Sequence, residues 1–285
     1  MRRCRSIFRG RRPKSHERRA SVDGLTGWYT DVGSGPTVVI LASTLVLARS
    51  YEWTIDCLAP DFRVVTVEMP GAGRAMPPPR AWGFEDYGGW VAGFVRELRL
   101  GRPTIVGHSN SGGAALVAAA MHPDCVGRLV LADTVGGDAS PSLARVIAGR
   151  ALDACLEPRL SLFGWHHVIG NALAHTKDFF GQVYRSVYDD LRPHASHVRA
   201  PTLLAWGARD HTIPLRCGLA LRERMPHASL YVSRRGSHDW MIDHAPEFAS
   251  ALRAFVDATR QSIVSTDVRE RSVFPPLPCS DTRSG

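Results

Sequence analysis

The sequence predicts an α/β fold in which a mostly parallel central sheet is flanked by helices and interrupted by a helical insertion. Two observations carry this prediction. Five short runs, Thr37–Leu41, Arg63–Val67, Thr104–Gly107, Arg128–Ala132 and Thr202–Trp206, are mostly apolar and rich in β-branched residues, which is how strands buried on both faces read. Between them lie longer stretches with the helical period. Phe84, Tyr87, Val91, Phe94, Val95 and Leu98 recur at spacings of three and four, so one helix buries one stripe. A second helix opens with Pro246 in its first turn and repeats Phe248, Leu252, Phe255 and Val256 on one face. Leu230–Val232 is a weaker sixth strand.

At 285 residues the chain has the size of one large domain. With 44% hydrophobic and 22% charged residues its composition is that of a globular protein. The segment 137–196 is helix-prone, rich in His and Trp, and has no strand-like run, so it is expected to be a helical cap. The core is then 21–136 and 197–260. The segment 261–285 is polar, carries Pro275 and Pro276 and lacks periodicity, so it is expected to be a disordered tail.

The net charge of +8 invites a nucleic-acid reading, and its distribution argues against one. Residues 1–20 hold nine arginines and lysines against Glu17 alone, while the remainder carries 26 charges of each sign. A binding fold would spread basic residues over a folded face, so this segment is expected to be a disordered basic tail. No apolar run is long enough for a membrane span and no signal-peptide core follows the arginines, which predicts a cytoplasmic protein. The six cysteines are scattered, with no CxxC pair, so neither a metal site nor a disulfide framework is expected. No cofactor motif occurs, and the partner expected is a small-molecule substrate.

The sharpest local signal is Thr104-Ile-Val-Gly-His-Ser-Asn-Ser-Gly-Gly113, followed at once by the helix-forming run Ala114–Ala120. A strand turns directly into a helix at Ser109. Small residues are needed there because strand and helix approach closely, and the serine is held in a strained conformation with its oxygen presented. The helix N-terminus lies beneath it, so the N–H of Asn110 can face an oxyanion. A hydroxyl is a poor nucleophile without a base. Gly236-Ser237-His238 follows the last strand, which puts His238 on a loop at the sheet's C-terminal edge, where sites of open α/β sheets collect. Asp210 sits just past the strand Thr202–Trp206 on the same edge and is suited to orient the imidazole.

With that Ser, Asp, His order the chain resembles the α/β-hydrolase superfamily, over roughly residues 21–258. Asp23-Gly24 and Asp31-Val-Gly-Ser-Gly-Pro36 look like its first hairpin, and Met69-Pro-Gly-Ala-Gly-Arg74 looks like its loop after the fourth strand. Ala200–Asp210 is similar to its acid-bearing strand and turn, and His238 with Pro246-Glu-Phe248 to its histidine and last helix. The resemblance implies an α/β-hydrolase fold with a catalytic triad and an oxyanion hole built from the N–H groups of Asn110 and Thr44. Two positions depart from the pattern: Ser111 stands where glycine is usual, and Ala42-Ser43-Thr44 where His-Gly is common.

The expected activity is that of a carboxylesterase-like serine hydrolase acting on a small, apolar ester or related carbonyl compound, with His108 and Trp165 at the substrate. Two alternatives share the triad. One is a slow-turnover ligand-sensing or stress-signalling protein, motivated by Ser111 and the altered loop; the other is a C–C bond hydrolase or haloperoxidase-like enzyme. Asp133, at the end of a strand, is the alternative acid. Asp239 and Asp243 read as turn caps, and His166, His167 and His175 as cap residues without metal-ligand spacing.

Overall fold

A computed structural model describes residues 17–43, 48–138, 142–157, 168–170 and 172–271, with side chains to residue 261. Eight strands, β1 (Arg18–Val22), β2 (Leu25–Val32), β3 (Thr37–Leu41), β4 (Arg63–Glu68), β5 (Thr104–His108), β6 (Arg128–Ala132), β7 (Thr202–Gly207) and β8 (Ser229–Ser233), form one sheet. Its order is β1-β2-β4-β3-β5-β6-β7-β8. Strands β3 to β8 run parallel, and β1 and β2 are the antiparallel edge. Every strand expected from the sequence is present: two-sided burial leaves a largely apolar run in β3 to β7, and the weaker sixth, β8, is only partly buried.

Helices cover both faces. On one, α2 (Phe84–Glu97), α3 (Asn110–Met121) and α6 (Leu215–Arg224) pack on a core that includes Tyr87, Trp90, Phe94, Leu116 and Trp206. On the other, α1 (Glu52–Leu58) and α7 (Ala245–Arg271) enclose Tyr51, Leu58, Trp240, Phe248 and Leu252. Between β6 and β7 lie α4 (Leu143–Leu156), α5 (Thr176–Tyr188) and a single turn at Arg192–Ala195, and no strand among the described residues. No described helix is long and apolar enough to cross a membrane.

Two boundaries differ from the expectation. The disordered basic tail assigned to residues 1–20 overlaps the edge strand β1, in which Ala20 and Val22 are buried and Arg18 and Arg19 exposed. The arginines there are structural. Arg19 stacks on the Trp28 ring at 4.1 Å, Arg74 lies over the same ring at 4.4 Å, and Glu17 pairs with Arg74 at 2.8 Å. Counting charge hid a period-two strand of only five residues. At the other end α7 continues to Arg271, past the expected end of the core at 260. The first hairpin turns at Asp23 and Gly24, with φ of 50° and 80°.

Candidate active site

The sheet's C-terminal edge gathers Ser109, Asp210 and His238. Ser109 sits between β5 and α3 at φ 57°, ψ −125°, a left-handed backbone that costs a non-glycine residue about 1–3 kcal/mol. Its surroundings over-determine that conformation. The Ser109 N–H donates to Ala132 O at 3.0 Å, and its carbonyl accepts from Gly112 N at 3.1 Å and from the Thr134 hydroxyl at 3.2 Å.

Close approach of strand and helix explains the small residues. A Cβ on Gly107 would stand 2.5 Å from Gly112 Cα and 2.7 Å from Ala115 Cβ. The first of these is backbone and cannot yield. Gly107→Ala is therefore expected to destabilise the fold by about 1–3 kcal/mol, read as a lower urea midpoint at unchanged slope.

Ser111, the departure from the glycine pattern, is fully buried and its hydroxyl is well used. It accepts from His108 N at 3.0 Å and lies 2.6 Å from Leu41 O and 2.9 Å from His108 O, donating to one of them. Through the shorter contact, to Leu41 O, the extra side chain ties the elbow to the end of β3, and glycine would remove that donor together with the acceptor of the His108 N–H.

Three side chains meet in a row. The Ser109 hydroxyl lies 2.9 Å from His238 Nε2, and His238 Nδ1 lies 2.9 Å from Asp210 Oδ2. Serine and histidine are 129 residues apart and all three groups are buried. Asp210 is fixed in turn by the Ile213 N–H, which donates to Oδ1 at 2.7 Å. Burial alone would pull the His238 pKa down; the Asp210 charge and hydrogen bond, aided by Asp239, outweigh it and hold the imidazole at about 9. Burial also raises the Asp210 carboxyl, against the opposing pull of His238.

Asp133, the alternative acid, does not contact the imidazole. It is fully buried at the end of β6 with φ 46°, and its Oδ1 accepts from Gly207 N at 2.7 Å. Burial and the neighbouring Asp210 charge push its pKa well above the usual carboxylate range, which disfavours a second charge beside Asp210.

His108, expected at the substrate, is fully buried with both ring nitrogens engaged within the protein. Burial pulls its pKa to about 4, so it is neutral at physiological pH. Its Nε2 faces the His238 carbonyl at 3.1 Å, which can only accept, so Nε2 carries the proton. Nδ1 then accepts from the Tyr51 hydroxyl at 2.9 Å, and Tyr51 accepts from Ser43 N at 3.2 Å. A directed chain thus joins the loop after β3 to the backbone of the histidine.

Asn110 opens α3, at the positive end of the helix dipole. Its side-chain oxygen accepts from the Ser43 hydroxyl at 2.9 Å and its amide donates to Gln182 of α5 at 3.1 Å. Thr44 and Trp165 lie outside the described residues, as do His166 and His167. Asp239, read from sequence as capping or beginning the local turn, does precede the turn Trp240–Asp243, and its side chain, which makes no cap hydrogen bond, pairs with Arg150 at 2.5 Å. Its N–H donates to Glu157 Oε1 at 2.6 Å. Among the described residues, His108, His238 and Asp239 bring possible metal-ligand atoms within 4.8 Å of one another. The hydrogen bonds just described already account for their positions.

A mostly parallel sheet with a strand-turn-helix serine at its C-terminal edge defines a class of enzyme. Residues 33–251 match the Alpha/beta hydrolase family, and the chain belongs to it as a hydrolase. The 2-hydroxymuconate semialdehyde hydrolase of Pseudomonas putida is 30% identical over 220 residues, covering 68% of this chain and 76% of that one. The 2-hydroxy-6-oxononadienedioate/2-hydroxy-6-oxononatrienedioate hydrolase of Burkholderia vietnamiensis is 26% identical over 261 residues, or 80% and 90% of the two chains. Bromoperoxidase from Bacillus anthracis superposes with a TM-score of 0.74 at 22% identity, over 85% of this chain and 99% of its own, a likeness of fold.

Proposed function

We propose that the protein hydrolyses a bond next to the carbonyl of a small, rather apolar molecule through an acyl-enzyme on Ser109. The observation that carries this reading is the unbroken row from the Ser109 hydroxyl through His238 to Asp210, with both contacts at 2.9 Å. As the Ser109 oxygen attacks the carbonyl carbon, His238 Nε2 takes its proton and Asp210 steadies the imidazolium. The oxyanion forms above the start of α3, facing the N–H groups of Asn110 and, by resemblance, Thr44. His238 then returns the proton to the departing group. Water, deprotonated by the same imidazole, releases the acyl group as an acid and restores the serine.

An ester is the simplest such substrate. Cleavage of a C–C bond beside a ketone is a second reading, favoured by the two hydrolases named above. The two differ in what leaves, an alkoxide or a carbanion that His238 must protonate, and the triad geometry serves both. A slow sensor has less support, because Ser111 is accommodated by hydrogen bonds and leaves the serine and imidazole in contact.

Incubation with p-nitrophenyl butyrate and with a vinylogous 1,5-diketone separates the two chemistries. A fluorophosphonate probe, which reports an activated serine directly, tests both. The expected result is stoichiometric labelling at Ser109 together with turnover of at least one substrate. A wild-type protein that neither labels nor turns over either compound would overturn the reading.

A further inference from the structure

Helix α4 of the inserted segment touches the candidate site in a way that no sequence motif announces. Its inward face carries Gly149, Arg150, Asp153 and, at the C-cap, Glu157, at helical spacing. Gly149 is seated so closely on the turn after Asp210 that a Cβ there would lie 2.9 Å from Thr212 N and closer still to the His211 carbonyl.

Asp153 is fully buried and acts as acceptor for two successive residues. Its Oδ1 takes the His211 ring Nδ1 at 2.9 Å, and its Oδ2 takes Thr212 N at 2.8 Å and the Thr212 hydroxyl at 2.6 Å. The His211 N–H is shared between both oxygens at 3.2 and 3.1 Å. One turn on, Glu157 accepts from Asp239 N, and Arg150 bridges Glu157 at 3.3 Å and Asp239 at 2.5 Å. Residues 211–212 follow the acid Asp210, and residue 239 follows His238. One helix therefore grips the backbone directly beyond both members of the acid-base pair.

We propose that Asp153 is a positioning residue, and that α4 clamps the Asp210 and His238 loops in register so that the imidazole faces Ser109. The inference rests on the triad reading above. Loops at the end of a sheet are the most mobile part of such folds, and misplacement of a reacting group by about 1 Å can cost about a hundredfold in rate. A buried carboxylate holding four donors removes that freedom, because a displaced loop would leave several polar groups unpaired in a dry interior. The charged and titratable groups that act on His238 are Asp210, Asp239 and Arg150, and its ring also lies 5.5 Å from that of His108. Of these, Arg150 belongs to α4, Asp239 is paired with it, and Asp210 directly precedes the residues that Asp153 holds.

The test is Asp153→Asn in the full chain, with Leu152→Ala as a control on the exposed side of the same helix. With p-nitrophenyl butyrate, Asp153→Asn is expected to lower kcat by about ten- to a hundredfold, with KM within about twofold. The acid limb of kcat should move to lower pH, since an imidazole less well paired with Asp210 loses its proton more easily. In proton NMR of the resting protein, the downfield Nδ1 proton of His238 should shift or broaden away. Leu152→Ala should leave all three readouts as in wild type. If Asp153→Asn yields no folded protein, Thr212→Val, which removes one hydroxyl donor from the same carboxylate, is read by the same three measurements and should move them in the same direction to a smaller extent. A folded variant with wild-type kcat, limb and NMR signal overturns the clamp while leaving the triad intact. Turnover that survives Ser109→Ala overturns the triad reading instead.

Discussion

Replacing Ser109 by alanine is expected to lower turnover by at least about 10⁵-fold, because no other hydroxyl among the described residues is placed to act in its stead. Ser111, two residues on, has its hydroxyl committed to Leu41 O or His108 O and His108 N, and lies behind the elbow. Ser43 donates to Asn110. The substitution keeps a Cβ at φ 57° and removes one polar atom, so the fold should remain near wild-type stability. The measurement pairs kcat on the substrate that the wild type turns over with the urea midpoint. Fluorophosphonate labelling should vanish in the same variant. A Ser109→Ala protein that unfolds at the wild-type midpoint and still turns over would show that the nucleophile lies elsewhere.

The next largest effect is expected at Asp210. An asparagine there presents an amide to a histidine that needs an acceptor at Nδ1, and the resulting wrong tautomer is expected to cost about 10⁴-fold in kcat. Asp133→Asn supplies the contrast. Asp133 is buried beside Asp210 with its carboxyl pushed well above the usual carboxylate range, and an amide oxygen can still accept from Gly207 N. Activity is therefore expected to stay within about threefold of wild type, and equal losses in the two variants would mean that the acid is shared. The pH dependence separates them further. His238 is held above the ordinary imidazole value, at about 9, against the pull of burial and by the Asp210 charge and hydrogen bond. The base form alone accepts the serine proton, so kcat/KM should rise with pH towards that value. In Asp210→Asn the stabilising charge is gone and burial now dominates, so the limb should move to lower pH even as the plateau collapses. In Asp133→Asn the limb should stay close to its wild-type position.

How legible these features were depended on how local their causes are. Strands β3 and β6 read at their observed bounds because burial on both faces leaves no polar interruption. Strands β1 and β2 carry half-exposed, mixed residues at the sheet edge, and β1 lay hidden in a run of arginines, so only the likeness of Asp23-Gly24 to a hairpin turn pointed to them. The serine elbow was legible because its backbone strain demands small neighbours within a few positions. The fully packed His108 was not, since nothing local distinguishes a histidine bonded to Tyr51 and to the His238 carbonyl from one that meets substrate.

By itself, the sequence determined the parallel sheet, the strained turn at Ser109 and the candidate base and acid, all of which are short-range consequences of periodicity, steric demand and position past a strand. The tertiary structure decided that Asp210 and not Asp133 meets the imidazole, that Ser111 ties the elbow to β3, and that Asp153 and Glu157 of the insertion hold the loops beyond the acid and the histidine. The physical reason is chain separation. Asp153 meets His211 across 58 residues and Glu157 meets Asp239 across 82, and no local pattern encodes a partner that only folding brings within hydrogen-bond reach.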